Sequence, residues 1–274
     1  MRTIGGLLPW LASIAPNTSG AGALQSLARP QPPTYGFRLL GAFPHDAGAF
    51  TQGLEYDART GTLLESTGLY GASTARRVAI ESGRVLEQHD LEPSYFGEGI
   101  ATSPNGACLQ LLWREGLCLV RDAETLRLRR TLPLPRGMRE GWGLTHDGGS
   151  RYYASDGTER LHVLDDETLE VERTVTVRAG GRVLGNVNDL QWVRGELWAN
   201  LWREDRICAI NPETGDVRCF VDLSDLLTPT ERRTLGYEEV LNGLAWDEAR
   251  ECFYATGKCW PRLFQIQVLD ERGS

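Results

Sequence analysis

The sequence predicts an all-β chain folded as a five-bladed β-propeller, its ring closed by N- and C-terminal strands in one blade. Three observations lead there. A short phrase recurs five times, as Gln52-Gly53-Leu54, Glu98-Gly99-Ile100, Trp142-Gly143-Leu144, Asn188-Asp189-Leu190 and Asn242-Gly243-Leu244, with starts 46, 44, 46 and 54 residues apart. Self-similarity at periods of roughly 20–50 residues marks stacked supersecondary units, four-stranded propeller blades among them. A second phrase runs in step: Glu81-Ser82-Gly83, Glu124-Thr125-Leu126, Glu167-Thr168-Leu169 and Glu213-Thr214-Gly215, spaced 43, 43 and 46 residues apart. Finally, five copies of the first phrase face only four of the second, so one blade must take its last strand from elsewhere.

Each element follows from these repeats. Copies of the second phrase lie between short runs rich in Val, Leu, Ile and Arg, and so read as hairpin turns. The clearest joins Arg206-Ile207-Cys208-Ala209-Ile210 to Val217-Arg218-Cys219-Phe220-Val221 through Asn211 to Asp216. One period then holds an inner strand on the x-Gly-Leu phrase, an aromatic-rich strand such as Glu196-Leu197-Trp198-Ala199-Asn200, and this outer hairpin, which makes four strands. Phe37 to Phe43 can complete the fifth blade beside Phe264 to Leu269. Closure of this kind removes the exposed edges that an open sheet would leave.

Residues 34–274 are expected to form one catalytic domain, because no Pro/Gly/Ser linker interrupts residues 37–270. Residues 1–33 read as a signal-like or disordered segment: Met1-Arg2 precedes the apolar stretch Ile4 to Ala15, with Ala21-Gly22-Ala23 as a cleavage site. That reading places the protein in the periplasm or outside the cell, with the cytoplasm as the alternative. A formal charge of −8 argues against nucleic acid or an anionic membrane surface as partner. No run of about 18 apolar residues is present to span a bilayer. The chain is expected to be a monomer. The six cysteines admit two readings: buried thiols, or disulfides pairing Cys208 with Cys219, Cys108 with Cys118 and Cys252 with Cys259. No Cys-x-x-Cys pair occurs and histidine is scarce, so no zinc site is expected.

In a propeller the inner strands line a central channel, and equivalent residues of successive repeats become neighbours around it. The first column is Gln52, Glu98, Trp142, Asn188 and Asn242. A second, 14 to 16 residues later on the returning strands, is Gly68, Trp113, Asp156, Trp202 and Lys258. Both should reach one rim. Glu98 is the candidate general acid/base there, and core packing does not explain Glu98, Asn188 or Lys258. Lys258 is the only lysine beside 28 arginines, which points to a need for a compact ammonium rather than a planar fork. Trp113, Trp142 and Trp202 form a flat pocket wall whose N–H groups are expected to orient a ligand.

These residues carry a family resemblance. Phe50-Thr51-Gln52-Gly53-Leu54-Glu55-Tyr56, Phe96-Gly97-Glu98-Gly99, Gly141-Trp142-Gly143-Leu144, Asn188-Asp189-Leu190-Gln191-Trp192, Leu197-Trp198-Ala199-Asn200-Leu201-Trp202, Leu241-Asn242-Gly243-Leu244-Ala245-Trp246-Asp247 and Thr256-Gly257-Lys258-Cys259-Trp260-Pro261 resemble the plant-type glutaminyl-peptide cyclotransferases over roughly residues 37–270. The resemblance implies a five-bladed propeller that converts an N-terminal glutamine to pyroglutamate with release of ammonia. It also implies peptide or protein substrates beginning with Gln, and no cofactor or catalytic metal. Glu98 matches the family's proton-transfer carboxylate. Phe50, Gln52, Phe96, Trp113, Trp142, Asn188, Trp202 and Lys258 match residues around its pocket. Asp189 stands where many relatives carry Glu, and Arg262 replaces a lysine after Trp-Pro; both are expected to lie off the ring.

That reaction suits the ring. The α-amine must attack its own γ-carboxamide, a step whose barrier is largely orientation. One carboxylate can take the amine's proton and return it to the leaving nitrogen. Lys258, Asn188 or Gln52 is expected to donate to the developing oxyanion. Two rivals remain. One is a metal-dependent lactonase-like propeller with Glu98, Asn188 and Asn242 as oxygen ligands, although such propellers usually have six blades. The other is a non-catalytic propeller that binds peptides on its rim.

Overall fold

The computed structural model describes residues 29–269, so the signal-like stretch lies almost wholly outside the described residues. Five sheets are the five blades, each with four strands from the centre outward, in chain order except at the outer edge of the fifth blade, and the fourth blade carries one further edge strand. Their inner strands are Thr51–Asp57, Gly97–Thr102, Leu144–His146, Val187–Val193 and Leu241–Asp247. These are buried nearly end to end, because each is covered on both faces by neighbouring blades. Outer strands such as Val85–Asp90 instead alternate half-buried and exposed residues.

Closure follows the expected scheme. Phe37–Pro44 pairs antiparallel with Arg262–Val268, from Phe37 opposite Val268 to Pro44 opposite Arg262, as the outermost strand of the fifth blade. One strand was not foreseen: Thr34–Tyr35 adds in parallel to Val217–Asp222 at the edge of the fourth blade. The long 54-residue interval is also explained. Residues 223–240 carry the 3-10 turn Ser224–Leu226 and the short helix Pro229–Arg232, capped by Thr228 and Glu231 in reciprocal hydrogen bonds.

The recurrent turns share one backbone solution. Gly83, Leu126, Leu169 and Gly215 all have φ between 51° and 76°, and each donates its N–H to the carbonyl four residues back. Asp122, Asp165 and Asn211 support three of these turns, each through Oδ1 hydrogen-bonded to the amides that follow. Beyond each turn the register shifts by one residue, at Leu86, Arg129, Glu172 and Arg218.

That bulge corrects the disulfide reading. With Arg218 bulged, Cys219 stands opposite Ala209 and Cys208 opposite Phe220. The two sulfurs therefore point to opposite faces of the sheet and join different core clusters. Cys108 and Cys118 divide in the same way, and no disulfide joins any of the six cysteines.

The glycine of the inner phrase is required by close approach. A Cβ on Gly143 would lie 2.0 Å from the carbonyl oxygen of Asn188 in the next blade. The fourth copy breaks the rule with Asp189, which is fully buried and accepts a hydrogen bond from Leu244 N at 2.9 Å.

Candidate functional site

The two columns are aimed by two local devices. In the first, second, fourth and fifth blades the inner strand carries a register shift at the first-column residue, between Thr51 and Gly53, Gly97 and Ile100, Val187 and Leu190, and Leu241 and Leu244. A bulge of this kind turns a side chain out of the pleat. In the second column the following residue is left-handed in four blades: Leu69 at φ 89°, Gly157 at 78°, Arg203 at 65° and Cys259 at 58°. Non-glycine residues adopt that conformation only when surrounding structure compensates. Here it turns the chain away just after Trp202 and Lys258 reach the mouth.

The result is a cavity of about 540 Å3 at one end of the channel. Its walls include Phe50, Gln52, Phe96, Glu98, Trp113, Trp142, Asn188, Trp202 and Lys258. The rings form two groups. Phe96 lies 6.1 Å from Phe50 and 5.4 Å from Trp113, while Trp142 packs edge-on against Trp202 at 5.8 Å. Gly68, which has no side chain to contribute, leaves room for Phe96: a Cβ there would come within 2.3 Å of the ring.

Glu98 and Lys258 are each only 4 % exposed. Gln52 Nε2 donates to Glu98 Oε1 at 3.1 Å, and Lys258 Nζ lies 4.9 Å from the Phe50 ring centre. Burial pushes the Glu98 carboxyl well above its ordinary range. Lys258 opposes that shift, and the Glu140 and Asp189 charges add to it. Burial likewise pulls Lys258 down, and Glu98 opposes it. Desolvation thus outweighs mutual attraction for both groups. Asn188 lines the cavity, and its Oδ1 is buried without a partner among the described residues.

Two expected members lie elsewhere. Asn242 is fully buried beneath the floor, where Nδ2 donates to the carbonyls of Thr51 at 3.0 Å and Gln52 at 3.2 Å. Asp156 is drawn outward by His162 Nε2 at 2.9 Å and Thr158 Oγ1 at 2.6 Å. It lines a different cavity, on the far side of Trp142. Asp189, expected off the ring, does not line the pocket; burial pushes its own carboxyl well above the ordinary range, and its ionised form would raise Glu98 further. The indole N–H groups of Trp113 and Trp142 are also not free for a ligand, since both are taken by Glu140.

Glu140, Arg114, Leu69 and Glu238 complete the lining and are absent from the two columns. Glu140 lies two residues before Trp142, as Phe50 and Phe96 lie two before Gln52 and Glu98, so a third column of the same repeat contained it. Glu238 arrives on the 223–240 insertion, outside any repeat. Arg203 stacks 4.3 Å over Trp202 and 3.9 Å over Tyr237, and pairs with Glu238. Among the described residues, no three His, Cys, Asp or Glu side chains gather as a metal-binding group.

Comparisons with known proteins agree on one family. The family model described as glutamine cyclotransferase matches residues 11–268. A glutaminyl-peptide cyclotransferase of Arabidopsis thaliana is 37 % identical over 230 residues, covering 84 % of this chain and 70 % of its own. The crystal structure of Myxococcus xanthus glutaminyl cyclase superposes with a TM-score of 0.78 at 30 % identity, covering 87 % of this chain and 98 % of that one.

Proposed function

Because the chain belongs to the glutamine cyclotransferase family, we propose that it converts the N-terminal glutamine of peptides to pyroglutamate, with Glu98 as the proton-transfer group. The observation that carries this reading is a buried carboxyl group and a buried amine lining one cavity together with five aromatic rings. A glutaminyl side chain folded back on its own amine is compact, and the rings hold such a near-attack conformer while excluding water.

The neutral α-amine nitrogen attacks the side-chain carboxamide carbon, forming the N–C bond of a five-membered ring. Glu98, ionised, takes one proton from that nitrogen and then delivers it to the departing amide nitrogen. The C–N bond breaks and ammonia leaves, so the enzyme's proton count is restored. Negative charge that develops on the carbonyl oxygen is stabilised by Lys258. Gln52 fixes one oxygen of Glu98, and Asn188 on the cavity wall orients the carboxamide carbon towards the amine.

Incubation of the full chain with a Gln-initiated peptide tests this. Ammonia release and loss of the free N-terminus are expected, with no reaction of the Asn-initiated analogue. A peptide left intact while binding in the cavity would favour the non-catalytic reading.

A further inference from the structure

The aromatic wall is built from two groups of rings that do not stack on each other, Phe50–Phe96–Trp113 from the first two blades and Trp142–Trp202 from the third and fourth. Between them stands Glu140. Its Oε2 accepts from Trp113 Nε1 at 2.8 Å and from Trp142 Nε1 at 3.0 Å, while Oε1 accepts from Arg114 Nε at 2.7 Å. The Arg114 guanidinium in turn lies 3.8 Å above the Trp113 ring. One carboxylate therefore fastens an indole of the second blade to an indole of the third. The geometry points to Glu140 as the positioning residue of this site, a clamp that sets the separation of Trp113 and Trp142 and so the width of the slot in which glutamine must fold.

Three features support this. Glu140 occupies the repeat position held by Phe50 and Phe96, where ring packing would otherwise hold the wall. A carboxylate there satisfies both indoles, whereas each alone would be a donor without a partner in an apolar wall. Hydrogen bonds from Arg114, Trp142 and Trp113 also overcome the burial of Glu140 and hold its carboxyl below the ordinary range, so it stays ionised as an acceptor. The charge has a second consequence, since Glu140 is among the groups that push the Glu98 carboxyl upward.

This inference rests on the cyclisation reading for its kinetic arm, and its spectroscopic arm is independent of that reading. Glu140→Ala and Glu140→Gln are compared with the unmodified chain by near-UV circular dichroism, acrylamide quenching of tryptophan, and cyclisation of a Gln-peptide across pH. Glu140→Ala is expected to weaken the indole bands, increase quenching, and lower kcat/KM by roughly 10- to 100-fold, the scale of a lost charge-assisted hydrogen bond. Glu140→Gln keeps one acceptor oxygen and should recover most of the indole signal and at least a third of kcat/KM. Its acidic limb should move to lower pH, because an anionic neighbour of Glu98 is gone. Indole spectra and quenching unchanged in both variants would overturn the clamp even if neither protein showed any activity. An acidic limb that stays in place while Glu140→Gln loses as much kcat/KM as Glu140→Ala would overturn it as well.

Discussion

Replacing Glu65 by Gln should unfasten the seam at which the ring closes, and the structure sets the scale of the loss. Glu65 is fully buried on Thr62–Thr67 of the first blade. Its Oε1 accepts from Thr51 Oγ1 at 2.7 Å and pairs with His45 Nε2 at 2.9 Å, and its Oε2 accepts from Arg76 Nε at 2.8 Å. His45 Nδ1 lies 2.8 Å from the carbonyl oxygen of Trp260. The latch therefore ties the first blade to the fifth, two residues from Lys258. Burial raises the Glu65 carboxyl, but His45, Arg76 and Thr51 outweigh it and hold it at about 2 against an ordinary 4.5. A depression of that size corresponds to about 3 kcal/mol at neutral pH, in line with about 3–5 kcal/mol for removing one partner of a buried pair. Because the folded value is depressed, this stability is present above pH 4.5 and is lost as pH falls towards 2. Urea unfolding of both chains at pH 7 should differ by about 3 kcal/mol, and the difference should shrink on descending from about pH 4.5 to about pH 2. A difference below about 1 kcal/mol at pH 7, or one independent of pH, would refute the reasoning.

Three further outcomes concern the cavity. Trp202→Ala removes a ring that packs against Trp142 and supports Arg203, so it should raise KM more than it lowers kcat; the reverse split would place Trp202 in the transition state. Since Glu98 is raised, kcat/KM should fall with decreasing pH through a value well above 4.5. Lys258 opposes that rise, so Lys258→Met should move the acidic limb to higher pH in whatever activity remains, and a limb unmoved or moved lower would contradict the proposed coupling.

The blade count and the closing strand were legible because a repeat states its own symmetry: five inner phrases against four turns left one strand to be supplied from the N-terminus. Equivalent positions also brought Glu98, Asn188, Trp202 and Lys258 to one mouth. Symmetry was insufficient where side-chain direction depends on local partners. Asp156 holds the same station as Trp202, yet His162 on the next strand offers a better partner than the cavity does. Asn242 is kept beneath the floor by two carbonyls. The Cys208–Cys219 pairing failed on a single bulged residue, Arg218, which a count from the turn cannot reveal. Glu140 escaped notice because its column mixes Phe, Glu, Asn and Val, so no shared chemistry marks it, and Glu238 comes from an insertion that has no counterpart in the other blades.

The most direct measurement compares Glu98→Gln with the unmodified chain on one Gln-initiated peptide, reading affinity from tryptophan quenching and chemistry from ammonia release. The account predicts a Kd within about threefold and a rate reduced by roughly 100- to 10,000-fold, the range supplied by a positioned proton-transfer group. Near-normal ammonia release from Glu98→Gln, with the cavity intact, would contradict it.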